Sequence, residues 1–305
     1  MATNATPQAF PPLIRNPGGL GILDVDAQEV IGHCKQSGAA LLFGYRATLQ
    51  EFEQFTNRIC TDWQTYRGGA HEKEILNSGS DSTIYSVNLY FGRKKQLAVP
   101  LPLHSEMSYM KNRPAIVCFY AIHPAETRGE TTICDGVEFY RSLTESSRRF
   151  LDSNRIVYIR ETAPAFRMQR FYTEEFPEAE RFCRQNEMTI SEKADGIWET
   201  RFVVSPVRET LFSDEPAFSN SILIVLEQED RGLTGSCVRL EDGSEIPPEI
   251  IGDIRDVAER KTRLIQWEQP GDFALMDNSR VLHGRNGFDD LDRNIAQRLG
   301  RSVPW

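Results

Sequence analysis

Val99-Pro100-Leu101-Pro102-Leu103-His104-Ser105-Glu106-Met107-Ser108-Tyr109 reads as an extended segment, because two prolines among alternating apolar residues disfavour a helix. On a β-strand successive side chains alternate faces, so His104 and Glu106 point the same way and can grip one ion together. The chain has five histidines, at positions 33, 71, 104, 123 and 283. His283 follows Gly271-Asp272-Phe273-Ala274-Leu275-Met276-Asp277-Asn278, a Gly-Asp turn leading into an apolar strand and a polar loop, which puts it at a strand end too. Two imidazoles and one carboxylate on one side of a metal form a facial triad, the ligand set of non-heme Fe(II) oxygenases, with open positions left for a co-substrate and dioxygen. His33 falls in a surface helix, and for His71 and His123 the sequence offers no partner, so these three carry no expected role.

Working outward, 305 residues with 40% hydrophobic content can bury a large core, and no internal repeat or low-complexity linker divides the chain. The expectation is one domain over residues 1–305 with a short flexible segment at 1–12. A formal charge of -9 argues against nucleic acid as a ligand, since phosphate binding wants clustered Lys and Arg. The basic run Arg93-Lys94-Lys95 is read as a solvated loop. Met1–Pro12 has no apolar centre, so it is read as neither a signal peptide nor a membrane span, and no other stretch is long enough to cross a bilayer. The six cysteines (34, 60, 118, 134, 183, 237) show no metal-ligand spacing, which fits reduced thiols in a cytoplasmic protein.

Periodicity predicts helices at Asp26–Gln36, Leu49–Cys60, Val137–Leu143, Glu145–Asn154, Glu174–Gln185 and Pro248–Lys261. It predicts strands at Ala39–Phe43, Ile84–Leu89, Ala115–Ile122, Thr131–Asp135, Ile156–Ile159, Ser221–Val225, Arg263–Trp267, Asp272–Asp277 and Arg293–Leu299. The polar stretches Glu72–Ser82 and Glu227–Pro248 read as loops. Many short strands carrying a pocket, with helices outside, predict a mixed, mainly β fold: a double-stranded β-helix, the cupin-like jelly roll, with flanking helices.

The ordered motifs resemble the 2-oxoglutarate-dependent taurine dioxygenase/TfdA superfamily, nearest its SyrP-like and clavaminate synthase-like branches. They are Leu103 to Tyr109, Pro114 to Tyr120, Arg128-Gly129-Glu130-Thr131-Thr132 with Asp135, Asn154 to Arg160, Trp267 to Asp272, Asp277-Asn278, and His283-Gly284-Arg285-Asn286-Gly287-Phe288. The resemblance implies that His104, Glu106 and His283 ligate Fe(II), that Thr131 bonds the far carboxylate of 2-oxoglutarate, and that O2 is the oxidant. Arg128 stands where the family pattern has a glycine. The resemblance also implies a carboxylate-binding arginine beyond His283, for which a planar guanidinium suits better than lysine. Arg293 fits the local text Asp292-Arg293-Asn294-Ile295, with Arg298 as the alternative, although the family's usual Arg-x-x-x-Arg is here one residue longer.

The implied activity is oxidation of an unactivated C–H bond by hydroxylation, desaturation or cyclisation. The carboxylate at Glu106, where related halogenases have a small residue, argues against halogenation. The implied substrate is a small, amino-acid-like molecule or natural-product intermediate, free or tethered to a carrier protein. Residues 162–220 are long enough to form a lid, with Arg167, Arg170 and Arg201 as loop arginines and Tyr109 and Asn88 as pocket candidates. The rival readings are a metal-dependent cupin without oxidative chemistry, which would need neither Thr131 nor the arginine, a ligand-binding jelly roll without catalysis, and a nucleic-acid-modifying dioxygenase, which the acidic balance disfavours.

Overall fold

The computed structural model describes residues 10–66, 75–77, 83–87, 99–232, 235–290 and 292–305. His71, Asn88, the run Arg93-Lys94-Lys95 and most of the 1–12 segment lie outside the described residues. The chain opens with β1 (Leu13–Arg15), α1 (Ala27–Ser37), β2 (Ala39–Phe43) and α2 (Leu49–Ile59), followed by β3 (Asp62–Trp63), β4 (Ile84–Ser86), β5 (Leu101–His104), β6 (Ile116–His123) and β7 (Thr131–Asp135). An excursion follows through α3 (Gly136–Ser142), α4 (Glu145–Ser153), β8 (Ile156–Thr162), α5 (Arg167–Phe171), α6 (Phe176–Gln185), β9 (Thr189–Glu192) and β10 (Trp198–Val204). It continues through β11 (Val207–Glu209), β12 (Pro216–Phe218), α7 (Ile222–Asp230), β13 (Ser236–Leu240) and α8 (Pro248–Lys261). The chain then returns in β14 (Arg263–Ile265), β15 (Phe273–Asp277), β16 (Val281–Arg285) and β17 (Asn294–Ser302).

Local chemistry sets the entry helices. Asp26 accepts from the Gln28 N–H to start α1, while Thr48 and Glu51 bond each other's backbone N–H in a capping box at the start of α2. Seven strands form one sheet, in the order β1-β2-β15-β6-β17-β3 with β4 also on β17, and β14-β7-β16-β5 form a second. The inner face of the large sheet, including Leu41, Val117, Phe119, Met276 and Leu299, packs on Ile133, Ile265 and Val281 of the small one. The alternate residues of the same strands, Leu42, Cys118, Tyr120 and Leu275, face α1 and α2 through Val30, Phe52 and Phe55. Strands covered on both faces are near-continuous apolar runs, which is what β2, β6 and β15 show. The outer face of the small sheet, through Leu103, Cys134 and Leu282, is covered by the excursion's helices and by its own four-stranded sheet, β13-β8-β10-β9.

Three expectations need correction. Ser221–Val225 is not a strand; the apolar run Ile222-Leu223-Ile224-Val225-Leu226 opens α7, and so short a run is ambiguous between a strand and a helix buried nearly all round. Glu227–Pro248 is not a loop, because it completes α7 and contains β13. The stretch 162–220 is built of regular elements rather than open loop, with β10 paired along its whole length to β8. Among the described residues, no helix is long and apolar enough to cross a membrane, and all six cysteines are unpaired.

Candidate metal and co-substrate site

The antiparallel pairing of β5 with β16 sets His104 directly opposite His283, with ring centroids 4.5 Å apart. β5 ends at His104, so strand alternation is not what aims Glu106; it stands in the following turn, where Met107 takes a left-handed φ of 56°. That turn is fixed by other segments. Asn278 accepts from the Glu106 N–H (2.8 Å) and donates to the carbonyls of Glu106 (3.0 Å) and Pro114 (2.8 Å). The Ser105 N–H donates to the Asn220 carbonyl, and the hydroxyls of Ser105 and Ser108 pair with those of Ser219 and Ser221.

The outcome is a cluster in which one donor atom from each of His104, Glu106 and His283 lies within 4.8 Å of the others. His283 Nε2 is 3.8 Å from Glu106 Oε2, and both side chains are buried. His104 Nδ1 lies 2.9 Å from the Pro102 carbonyl, which can only accept, so Nδ1 carries the proton and Nε2 keeps its lone pair for an ion. Gln297 Nε2 donates to Glu106 Oε2 at 2.5 Å and restrains the carboxylate. A carboxylate buried against two imidazoles is stabilised by a cation between them, and this mixed N/O donor set fits Fe(II).

One end of the cavity beside the triad is cationic. Thr131 on β7 faces Arg285 on β16 in register, and Trp267 Nε1 donates to Thr131 Oγ1 (2.9 Å), leaving the hydroxyl proton to be donated elsewhere. Arg293 is 3% exposed and its Nε donates to the Gly129 carbonyl (2.8 Å). The Phe288 ring lies against both Arg285 (4.8 Å) and Arg293 (5.2 Å). Burial, then the neighbouring Arg285 charge, lowers Arg293 to about 9, so an anion bound here would relieve an existing electrostatic cost. Gly129 permits the arrangement: at φ +72°, an added Cβ would lie 3.0 Å from Arg293 Cδ and Nε. Arg128 adopts φ 61°, so the turn survives without the pattern's first glycine.

Arg298, the alternative for this role, is corrected by its place in the fold. On β17, two residues after Ala296, it pairs with Cys118 of β6 and points to the α2 face, donating to Glu53 O, Thr56 Oγ1 and Thr83 Oγ1 with its guanidinium 3.8 Å from the Trp63 ring. Ile295 and Gln297, one residue out of phase, line the cavity. The position four after Arg293 is therefore Gln297, inside the site.

The rest of the cavity is walled by apolar side chains such as Phe119, Ile224 and Val225 and by Tyr109, Tyr158, Arg160, Gln228 and Ser236. Sequence reading gave Arg285, Gln297, Arg160 and Gln228 no role. Period-two counting from His283 finds Arg285, whereas Gln228 is visible only once α7 is known to be a helix. Of the loop arginines, Arg167 lies over Trp198, Arg201 bonds Glu199, and Arg170 donates to Glu161 O and Thr162 Oγ1.

A His-Glu-His cluster that could hold a metal ion thus stands in one cavity with Arg285 of β16 and with Arg293, which immediately precedes β17. The profile of the Taurine catabolism dioxygenase TauD, TfdA family matches residues 17–299. The chain belongs to that family and is an Fe(II)- and 2-oxoglutarate-dependent dioxygenase. It is 23% identical over 271 residues to the dapdiamide synthesis protein DdaC of Enterobacter agglomerans, covering 83% of this chain and 79% of that one. It is also 23% identical over 279 residues to a clavaminate synthase-like protein of Arabidopsis thaliana, covering 86% and 81%. The fold matches that of PvcB from Pseudomonas aeruginosa with a TM-score of 0.56 at 14% identity, covering 94% of this chain and 84% of PvcB. PvcB is an Fe, alpha-ketoglutarate dependent oxygenase from an isonitrile synthetic pathway.

Proposed function

We propose that His104, Glu106 and His283 hold Fe(II), that Arg293 and Thr131, with Arg285 beside them, seat the far carboxylate of 2-oxoglutarate, and that the enzyme oxidises an unactivated C–H bond of a small amino-acid-like or natural-product intermediate. The two facing sheets are read as the halves of a double-stranded β-helix around this site. The observation that carries the proposal is the convergence of the triad with the Thr131–Arg285–Arg293 end of one cavity. DdaC and PvcB, both proteins of natural-product pathways, favour a substrate of that kind, free or carried on a partner protein.

When bound, iron and 2-oxoglutarate supply the dioxygen-derived oxidant, with succinate and carbon dioxide as co-products. The chain's own residues do the positioning. Pro102 and Gln297 orient two ligands, the Arg293 guanidinium would donate to the co-substrate's carboxylate, and the walls of Phe119, Ile224 and Val225 would keep water from the reacting carbon. The test is succinate release in the presence of Fe(II), 2-oxoglutarate and oxygen with a panel of L-amino acids and aminoacyl thioesters of a carrier protein. Some members should stimulate succinate formation at least tenfold, and His104→Ala and His283→Ala should abolish it while remaining folded. Turnover retained by either variant contradicts the triad.

A further inference from the structure

A third guanidinium lines the same cavity from a different element. Arg160 lies on β8, two residues from Tyr158 and paired with Ser236 on β13; Tyr158, Arg160 and Ser236 all line the cavity. Its guanidinium carbon stands 4.1 Å from the centre of the Tyr109 ring, in stacking distance. Tyr109, three residues past Glu106, is hydrogen-bonded to Tyr66 and lines the cavity together with Glu106 and this arginine. Arg170 adds a second positive charge close to Arg160.

Charge balance sharpens the reading. Among the described residues lining the cavity, three are cationic (Arg160, Arg285, Arg293) and one is a carboxylate, Glu106. A divalent ion on the triad and a dianionic co-substrate would cancel each other, leaving the three guanidinium groups against the single Glu106 carboxylate. The balance stays positive, Arg160 is the one of the three that stands on the excursion's own sheet, and a net positive cavity with apolar walls favours an anionic guest. The position four after Arg293, on the opposite wall, is the neutral Gln297.

We propose that Arg160, held by stacking on Tyr109, is the seat for a carboxylate of the substrate, so that the enzyme takes small amphipathic acids whose apolar body lies along Ile224, Val225 and Phe119 toward the triad. This rests on the oxygenase reading above and names the substrate class for it. The planar fork suits a monoanionic carboxylate, and the seat is separate from the one for 2-oxoglutarate.

The experiment uses the full chain loaded with Mn(II) and N-oxalylglycine, an unreactive 2-oxoglutarate analogue, so that the metal and co-substrate seats are filled. Binding of straight-chain carboxylates of about four to ten carbons is measured calorimetrically against their primary amides and alkyl phosphates, in the wild type, Arg160→Gln and Arg160→Lys. A single charge-assisted contact of about 1.5–3 kcal/mol corresponds to a preference for acid over amide of at least tenfold. That preference should vanish in Arg160→Gln with amide binding unchanged, and return in part in Arg160→Lys. No preference for the acid, a preference that survives Arg160→Gln, or a stronger preference for phosphate overturns the assignment. The anaerobic Fe(II)/2-oxoglutarate absorption band, recorded on wild type and Arg160→Gln, separates the two claims: its absence from the wild type contradicts the oxygenase reading, whereas a normal band without acid preference contradicts the seat alone.

Discussion

Arg293 and Arg298 lie on the same stretch of chain yet do different work, and the difference is one of strand phase. Arg293 lines the cavity, while Arg298 is spent on Glu53, Thr56, Thr83 and Trp63 behind the sheet. Arg293→Ala should remove about 3 kcal/mol of charge-assisted bonding and raise the half-saturating 2-oxoglutarate concentration roughly a hundredfold in steady-state kinetics, with thermal stability little changed. Arg298→Ala should instead destabilise the fold by about 2–4 kcal/mol in denaturant titration and leave the 2-oxoglutarate requirement of the folded enzyme alone. A larger co-substrate effect from Arg298→Ala would reverse the assignment. The sequence left this choice open because spacing from His283 does not reveal which residues of β17 face inward; the buried Ile295 and Gln297 do. The neighbouring turn offers a paired test. Gly129→Ala pushes on Arg293 and should raise the 2-oxoglutarate requirement about tenfold, whereas Arg128→Gly should be tolerated within about 1 kcal/mol, since Arg128 already occupies a left-handed conformation.

At the scale of elements, the three ligands are delivered by different means. Register across β5 and β16 brings the imidazoles together, and a turn sewn to Asn278 and to Asn220–Ser221 delivers the carboxylate. Asn278→Ala would leave the buried Glu106 N–H and two carbonyls without their side-chain partner. It should cost about 3 kcal/mol in chemical denaturation and weaken metal binding about tenfold or more in a competition titration with a chelator. Full metal affinity in that variant would mean the turn holds itself. The pair His104 and Glu106 was legible as a metal motif even though the strand stops at His104, because the residue types survive an error in local geometry. α7 was not legible as a helix, since Ile222 to Leu226 is apolar on every side, and with it went the cavity wall that Ile224, Val225 and Gln228 form. β2, β6, β7, β15 and β17 were legible because alternation or unbroken apolar content persists along each of them.

At the scale of the molecule, two facing sheets form the frame, α1 and α2 cover one outer face, and the excursion between β7 and β14 covers the other while carrying β8 and α7 to the cavity. Composition foretold the large core, but not this division of labour. The sheet that presents Tyr158 and Arg160 comes from pairings among β13, β8, β10 and β9 that no local pattern announces. The frame brings a triad from residues 104 to 283 into one cavity with an arginine from the last strand's entry. The most direct test is an anaerobic visible-absorption titration of the apoprotein, first with Fe(II) and then with 2-oxoglutarate. A metal-to-ligand charge-transfer band that appears only when both are present, and is lost in His283→Ala, is the predicted result. Bound metal with no such band would contradict the account and favour a cupin-like metal enzyme without oxidative chemistry, and failure to bind Fe(II) at all would contradict the triad itself.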